Sequence, residues 1–119
     1  MAIKIKRLFK SFSYAFRGLF KIFREEQNLR IQTAVAVLVF LGAYLLRISR
    51  FEWLILILSV SLVILMEVIN SVVERIVDVL KLRVDHYAKE IKDIAAAAVM
   101  VASLFAVIIG AIIFSPYLF

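Results

Sequence analysis

Three apolar stretches, residues 31–46, 51–73 and 94–114, restrict this chain more than any other feature in it. At 1.5 Å per helical residue, a hydrocarbon layer of ~30 Å takes about 20 residues. The second and third stretches meet that length alone. The first meets it by borrowing its flanks and letting Arg30 and Arg47 reach toward the headgroups. Water cannot solvate so much apolar surface: 65% of the 119 residues are apolar, against about 45–50% in soluble domains, and a chain this short has too little interior to hide the excess. It is therefore read as an all-α membrane protein, a single integral membrane domain over 1–119, with transmembrane helices at 29–48, 51–73 and 94–114. The first stretch starts too far along for a signal peptide's apolar core, and no small-residue cleavage pattern follows it, so no leader is expected to be removed.

Residues 3–24 have a different character. Lys4, Lys6, Arg7, Lys10, Arg17, Lys21 and Arg24 alternate with Ile3, Ile5, Leu8 and five phenylalanines, and the apolar positions recur every three or four residues. That pattern predicts an amphipathic helix lying in the headgroup plane, since no soluble remainder exists for it to pack on. Orientation follows from the basic residues. Eight Lys and Arg precede or include Arg30, two flank the loop at Arg47 and Arg50, and five lie in 74–93. The N-terminus and the segment 74–93, a helix extension and turn, are therefore expected in the cytoplasm, with the C-terminus outside the inner membrane and Trp53 and Tyr117 as outer interfacial anchors.

The absence of Cys removes disulfides, thiolate metal sites and cysteine nucleophiles. A net charge of +6 suits an anionic lipid surface or a polyanionic ligand such as a nucleotide. Nucleic acid is not expected as a partner, because most of the chain lies in lipid.

The polar residues inside the apolar frame carry the chemistry. Glu67, Asn70, Glu74 and Asp78 stand three, four and four residues apart. On a helix they fall within an arc of roughly 80° and climb about 16 Å, a single polar stripe. If the second span enters its outer boundary at Phe51, the inner boundary comes about 20 residues later, near Ser71. Glu67 then lies within hydrocarbon and Glu74 just beyond it. Glu26, before the first span, and Lys92 and Asp93, before the third, belong to the same interfacial level. Separate segments thus deliver acids and a lysine to one depth.

A carboxylate in the bilayer costs about 2.5–3.5 kcal/mol on insertion scales, so Glu67 marks function rather than packing. A base at the lipid edge, carboxylates nearer water and a lysine together fit phosphoryl transfer. Mg²⁺ is held by one or two carboxylates plus phosphates, and lysine neutralises phosphate charge. The base would act on a hydroxyl that never leaves the membrane. Gly18, Gly42 and Gly110 form neither a P-loop nor a glycine-rich kinase loop. A small proton-coupled transporter could use Glu67 alone, without the acids outside the bilayer. A membrane scaffold would need none of them.

The run from Glu67 through Asn70 and Glu74 to Asp78, followed by Ala88-Lys89-Glu90-Ile91-Lys92-Asp93-Ile94 and four alanines, resembles the prokaryotic diacylglycerol kinase family. That family's pattern is ExxNxAIExxVD, then AKxxKDxAAxAV. The likeness also takes in Tyr14, Gly18, the segment from Glu26 to Gln32 and the Glu52-Trp53 entry to the second span, and it leans to the Gram-positive form, whose members phosphorylate undecaprenol. Departures are Ser71-Val72-Val73 for Thr-Ala-Ile, Ala97 for a Gly, and Val84-Asp85-His86 for Glu-Phe-His, with His86 read as a solvated turn residue.

The resemblance implies a homotrimer of three-span protomers that uses ATP and Mg²⁺ to phosphorylate a membrane alcohol, undecaprenol or alternatively diacylglycerol. By position Glu67 matches the catalytic base, and Glu26 and Glu74 match metal and nucleotide ligands. Tyr14, Asn70, Lys92 and Asp93 match nucleotide positions. Arg7, Arg30 and Asp78 match substrate or phosphate contacts. Two further readings come from spacing alone. Ala98, Ala102, Ala106 and Gly110, four apart, predict a helix-packing row. Lys81, Arg83, Lys89 and Glu90 read as a solvated face.

Overall fold

The computed structural model describes residues 3–80 and 85–119, so Lys81, Arg83 and Val84 lie outside the described residues. It holds four helices: α1 (Ile5–Glu25), α2 (Gln27–Leu46), α3 (Arg50–Leu80) and α4 (Asp85–Leu118). The last three are each long and apolar enough to cross a membrane.

Helix α1 keeps the expected amphipathic span but buries none of its own residues. It ends at Glu26, whose extended backbone (φ −103°, ψ 108°) alone separates it from α2. No Gly or Pro makes this break. Arg30 stabilises it instead: its guanidinium turns back and donates to the carbonyls of Phe23, at 3.2 Å, and Arg24, two acceptors that the end of α1 leaves open. The overall extents are 53 × 48 × 27 Å. The 34 residues of α4 account for about 51 Å, so the second long dimension comes from α1 leaving the bundle sideways.

Helix α2 stops at Leu46, two residues short of the expected boundary. Arg47 takes a left-handed conformation (φ 56°) and donates to Tyr44, while the Ile48 amide reaches Ala43 at 3.3 Å. This is a Schellman closure, and Ile48 and Ala43 both enter the same apolar cluster. Arg47 adopts without glycine a conformation that costs a side-chain-bearing residue roughly 1 kcal/mol. The apolar contact offsets that cost. Ser49 and Glu52 then cap α3 reciprocally: the Glu52 amide donates to Ser49 Oγ (3.2 Å) and the Ser49 amide to Glu52 Oε1 (3.0 Å).

Helices α3 and α4 form the main packed pair, with α2 against α3. The tightest packing lies at the Arg47 end, where Ala43, Ile48, Leu56 and Ile113 are buried and Trp53 packs on Phe40 with ring centroids 5.9 Å apart. Helix α4 begins well before residue 94 and passes through Pro116, and Tyr117 donates to Glu52, tying the two helices together. Trp53 and Tyr117 therefore share one end of the bundle, as anchors on one face would. Helix α3 runs unbroken from that end to Leu80, carrying the polar stripe to the other.

Within one chain the alanine row is packed only in part. Ala102 is buried and Ala98 is exposed. A Cβ built on Gly110 meets no atom within 4 Å. Within the chain the row seats no backbone at Gly110. It opens space instead, and Ala106 and Gly110 line a cavity between α2, α3 and α4.

Candidate active site

The stripe on α3 is graded in burial along its length. Glu67 and Ser71 are 2% and 1% exposed and Asn70 is buried, Glu74 is half-buried, and Asp78 is exposed. Helical spacing places the four on one face, and packing by α2 and α4 covers only the end deeper in the bundle. Gln32 on α2 meets Glu67 there, donating from Nε2 to Oε2 at 3.4 Å. One turn on, Asn70 Nδ2 donates to Glu74 Oε1 at 3.3 Å. Four buried polar atoms make no hydrogen bond within the described residues: Gln32 Oε1, Asn70 Oδ1, Ser71 Oγ and Arg75 Nε. Buried polar atoms are normally paired, and four of them, three between Asn70 and Arg75 on α3 and one on Gln32 of α2, mark a polar site in an otherwise apolar bundle.

The α1–α2 junction brings further acids to this point. Arg75 of α3 donates to Glu25 Oε2 at 2.7 Å and stands 3.8 Å from Glu26. Glu26 and Glu74 both lie within electrostatic reach of Glu67. Across the α3–α4 pair, Lys92 donates to Asp78 at 2.6 Å and feels Glu74. Two charges are shifted by these contacts. The Arg75 guanidinium holds the Glu25 carboxyl below the usual carboxylate range, and the Asp78 carboxylate holds the Lys92 ammonium above its usual value.

Six of the expected residues are thus gathered: Glu26, Glu67, Asn70 and Glu74 in one group, Asp78 and Lys92 beside it. Four are placed elsewhere. Tyr14 is exposed on α1, with the Arg17 guanidinium 5.7 Å above its ring. Arg7 is exposed a turn into the same helix. Arg30 is engaged in closing α1. Asp93 lines a shallow surface hollow on α4 with His86, Lys89 and Glu90. Three participants were not foreseen. Gln32 had a readable signal, since it and Thr33 are polar interruptions within 31–46. Arg75 stood in the motif beside Glu74, and Glu25 beside Glu26, but neither spacing nor charge alone indicated that they pair.

Among the described residues no three acidic or histidine side chains converge to enclose a metal ion. The donor set nevertheless fits Mg²⁺. Glu26 and Glu74 offer hard carboxylate oxygens and Asn70 Oδ1 is unpaired. This ion takes few protein ligands and completes its shell with water and phosphate.

A cavity of about 300 Å³ approaches the same point from within the bundle. Val35, Val39, Leu56, Val63, Ala106 and Phe114 give it an apolar wall, and Gln32, the partner of Glu67, lines it as well. Gln32 therefore links the apolar hollow that it lines to the buried carboxylate of Glu67, which has Glu26 and Glu74 within electrostatic reach.

The sequence matches the family described as prokaryotic diacylglycerol kinase over residues 13–114. It is 36% identical over 115 residues to the undecaprenol kinase of Bacillus subtilis, covering 97% of this chain and 94% of that protein. It is 37% identical over 110 residues to the diacylglycerol kinase of Synechocystis sp., covering 92% of this chain and 63% of that longer protein. With the diacylglycerol kinase of Escherichia coli it shares 30% identity over 102 residues, 86% and 84% of the two chains.

Proposed function

The chain belongs to the prokaryotic diacylglycerol kinase family and is a lipid kinase; from that premise we propose that it transfers the γ-phosphate of ATP to the hydroxyl of undecaprenol. The observation that carries the reading is the position of Glu67, buried within reach of Glu26 and Glu74 and hydrogen-bonded to Gln32, which lines an apolar cavity. A base placed there reaches a hydroxyl on a chain that stays in lipid, while the phosphate donor stays in water.

In this reading Glu67 accepts the proton of the lipid hydroxyl as the hydroxyl oxygen attacks the γ-phosphorus. The bond from that phosphorus to the β–γ bridging oxygen breaks to release ADP. Gln32 orients the carboxylate, and general base action of this kind supplies about 10²–10⁴ in rate. Glu26 and Glu74 hold Mg²⁺, which when bound neutralises charge on the β- and γ-phosphates. Asn70, Lys92, Tyr14 and Asp93 hold the nucleotide. The Asp78 carboxylate beside Lys92 favours its charged ammonium form. Arg7 and Arg30, with Asp78, line the approach of phosphate or lipid head, and Arg30 has to leave the α1 carbonyls to do so.

The assembly proposed is a homotrimer in the inner membrane. Residues 3–24 lie in the cytoplasmic headgroup plane, and the spans cross at 29–48, 51–73 and 94–114 with 74–93 in the cytoplasm and the C-terminus outside. The sideways course of α1, its basic face and its lack of buried residues support this placement. The buried polar atoms unmatched within one chain are groups that a neighbouring protomer or a nucleotide satisfies.

Undecaprenol is preferred over diacylglycerol because the relative of that name in Bacillus subtilis aligns with 97% of this chain. Relatives named diacylglycerol kinase keep the second acceptor in play. The test is purified protein in detergent with Mg²⁺ and γ-labelled ATP, offered the two alcohols side by side. Label in undecaprenol phosphate is expected. Label only in phosphatidic acid reverses the substrate choice, and label in neither ends the reading.

A further inference from the structure

The reaction as drawn gives Arg75 no part, yet this cation stands against the acids of the α1–α2 junction. Its Nη2 stands 2.7 Å from Glu25 and 3.8 Å from Glu26, and its charge acts on Glu74. Its Nε is buried without a partner among the described residues. Arg30 closes the α1–α2 junction upon itself and α2 packs on α3, but the side-chain link from α1 itself to α3 is the Arg75–Glu25 pair. Helix α1 buries no residue, so apolar packing does not fix it to α3. Glu26 is the lone non-helical residue between α1 and α2, so the direction of its carboxylate depends on how that junction is seated. Glu26 and Glu74 also act unfavourably on a charged Glu67, and a nearby positive charge eases such crowding of carboxylates. A guanidinium keeps its charge at every pH and holds its donors in a rigid plane, so it can stay seated between the neighbouring carboxylates Glu25 and Glu26.

We infer that Arg75 is a positioning residue for the phosphoryl-transfer site: through Glu25 it seats the α1–α2 junction against α3 and keeps Glu26 beside Glu74, so that the two acids can share one divalent cation. The inference rests on the metal role proposed for Glu26 and Glu74. It goes beyond that role in assigning its geometry to a bridge made by two residues that touch neither lipid nor nucleotide. A merely structural ion pair on an exposed surface would hold the fold slightly and leave cation affinity alone.

The experiment uses the full chain in detergent and two readouts: Mn²⁺ affinity by electron paramagnetic resonance without lipid, and initial rates against Mg-ATP and against undecaprenol. Arg75→Glu and Glu25→Arg should each weaken Mn²⁺ binding and raise the KM for Mg-ATP by about ten- to hundredfold, the range seen when groups that orient metal ligands are lost. The KM for the lipid should stay put. The swap, Glu25→Arg with Arg75→Glu, should restore most of both. Glu25→Gln, which changes only an exposed side chain on α1, should move both readouts in the same direction by less, and it decides the matter if Arg75→Glu fails to fold. Unchanged Mn²⁺ affinity in Arg75→Gln, or a folded swap no better than its parents, overturns the inference. Wild-type protein that binds Mn²⁺ but labels neither alcohol overturns the kinase reading alone, and the Mn²⁺ titration still decides Arg75.

Discussion

Gln32 on α2 donates its side-chain amide to the buried carboxylate of Glu67 on α3, at 3.4 Å. The bond joins the two helices at the level where the apolar cavity ends. It can orient one carboxylate oxygen and leave the other to act. This geometry separates catalysis from folding, because Glu67→Gln keeps the size and a polar group at the site while removing the base. The variant should lose at least 10² in turnover, on the order of what general bases contribute, and keep its oligomer size on gel filtration. Dissociation would instead make Glu67 structural. Gln32→Leu should reduce turnover less than Glu67→Gln, since the base stays but loses its orientation. A larger loss would show that Gln32 itself meets the substrate.

Glu26 and Glu74 discriminate kinase from transporter. Glu26 and Glu74 approach Glu67 from two different elements, and only phosphoryl transfer needs all three. Glu26→Ala and Glu74→Ala should each abolish lipid phosphorylation nearly as fully as Glu67→Gln. Removing Mg²⁺ with a chelator should silence the wild type, and adding it back should restore the rate. Activity that survives chelation would remove the metal role from these residues.

The Glu25–Arg75 bridge predicts how α1 responds to acid. Arg75 donates to Glu25 and holds its carboxyl below the ordinary range, whereas in the undocked state Glu25 titrates near its usual value of about 4.3. Between the two values the undocked state binds more protons. The bridge therefore contributes fully above the ordinary value and is lost as pH falls through the lowered one. Spin labels at Phe20 and Val79, both exposed, should hold a constant separation from neutral pH to about pH 5 and spread only on further acidification. High salt should narrow the stable range, since both partners are half in water. Spreading with a midpoint at or above the ordinary carboxylate value would show that the bridge does not hold α1.

Much of this arrangement was legible in the order of residues. The apolar lengths gave the spans, and the three-four-four spacing gave the stripe, because both depend only on helix periodicity and depth. The burial gradient from Glu67 to Asp78 follows from the same two facts. What sequence could not give were contacts set by loop geometry. The break at Glu26 has no Gly or Pro to announce it, and it is this break that brings Glu25 and Glu26 to Arg75, 49 or 50 positions away. Arg47 in a left-handed turn was equally silent, since glycine usually marks such a site. The alanine row is fixed by neither periodicity nor depth, since within one chain Ala102 is buried while Gly110 meets no neighbouring atom. A four-residue spacing of small side chains says that a backbone can approach, not that one does.

That row yields the last prediction. Gly110 lies inside α4 with a helical backbone, and an added methyl would meet no atom within 4 Å. Replacing an interior helical Gly by Ala removes a conformational penalty of roughly 0.5–1 kcal/mol. Gly110→Ala should therefore be neutral or slightly stabilising in thermal unfolding in detergent. If Gly110 instead seats a neighbouring helix of another protomer, the methyl would force that helix outward, and the variant would lose stability together with its oligomer. A bulkier change on the same face, Ala106→Phe, should fill the cavity that Ala106 lines. If the lipid chain enters there, the KM for undecaprenol should rise while that for Mg-ATP stays unchanged. An unchanged lipid KM in a folded Ala106→Phe protein would send the substrate chain along the outside of the bundle instead.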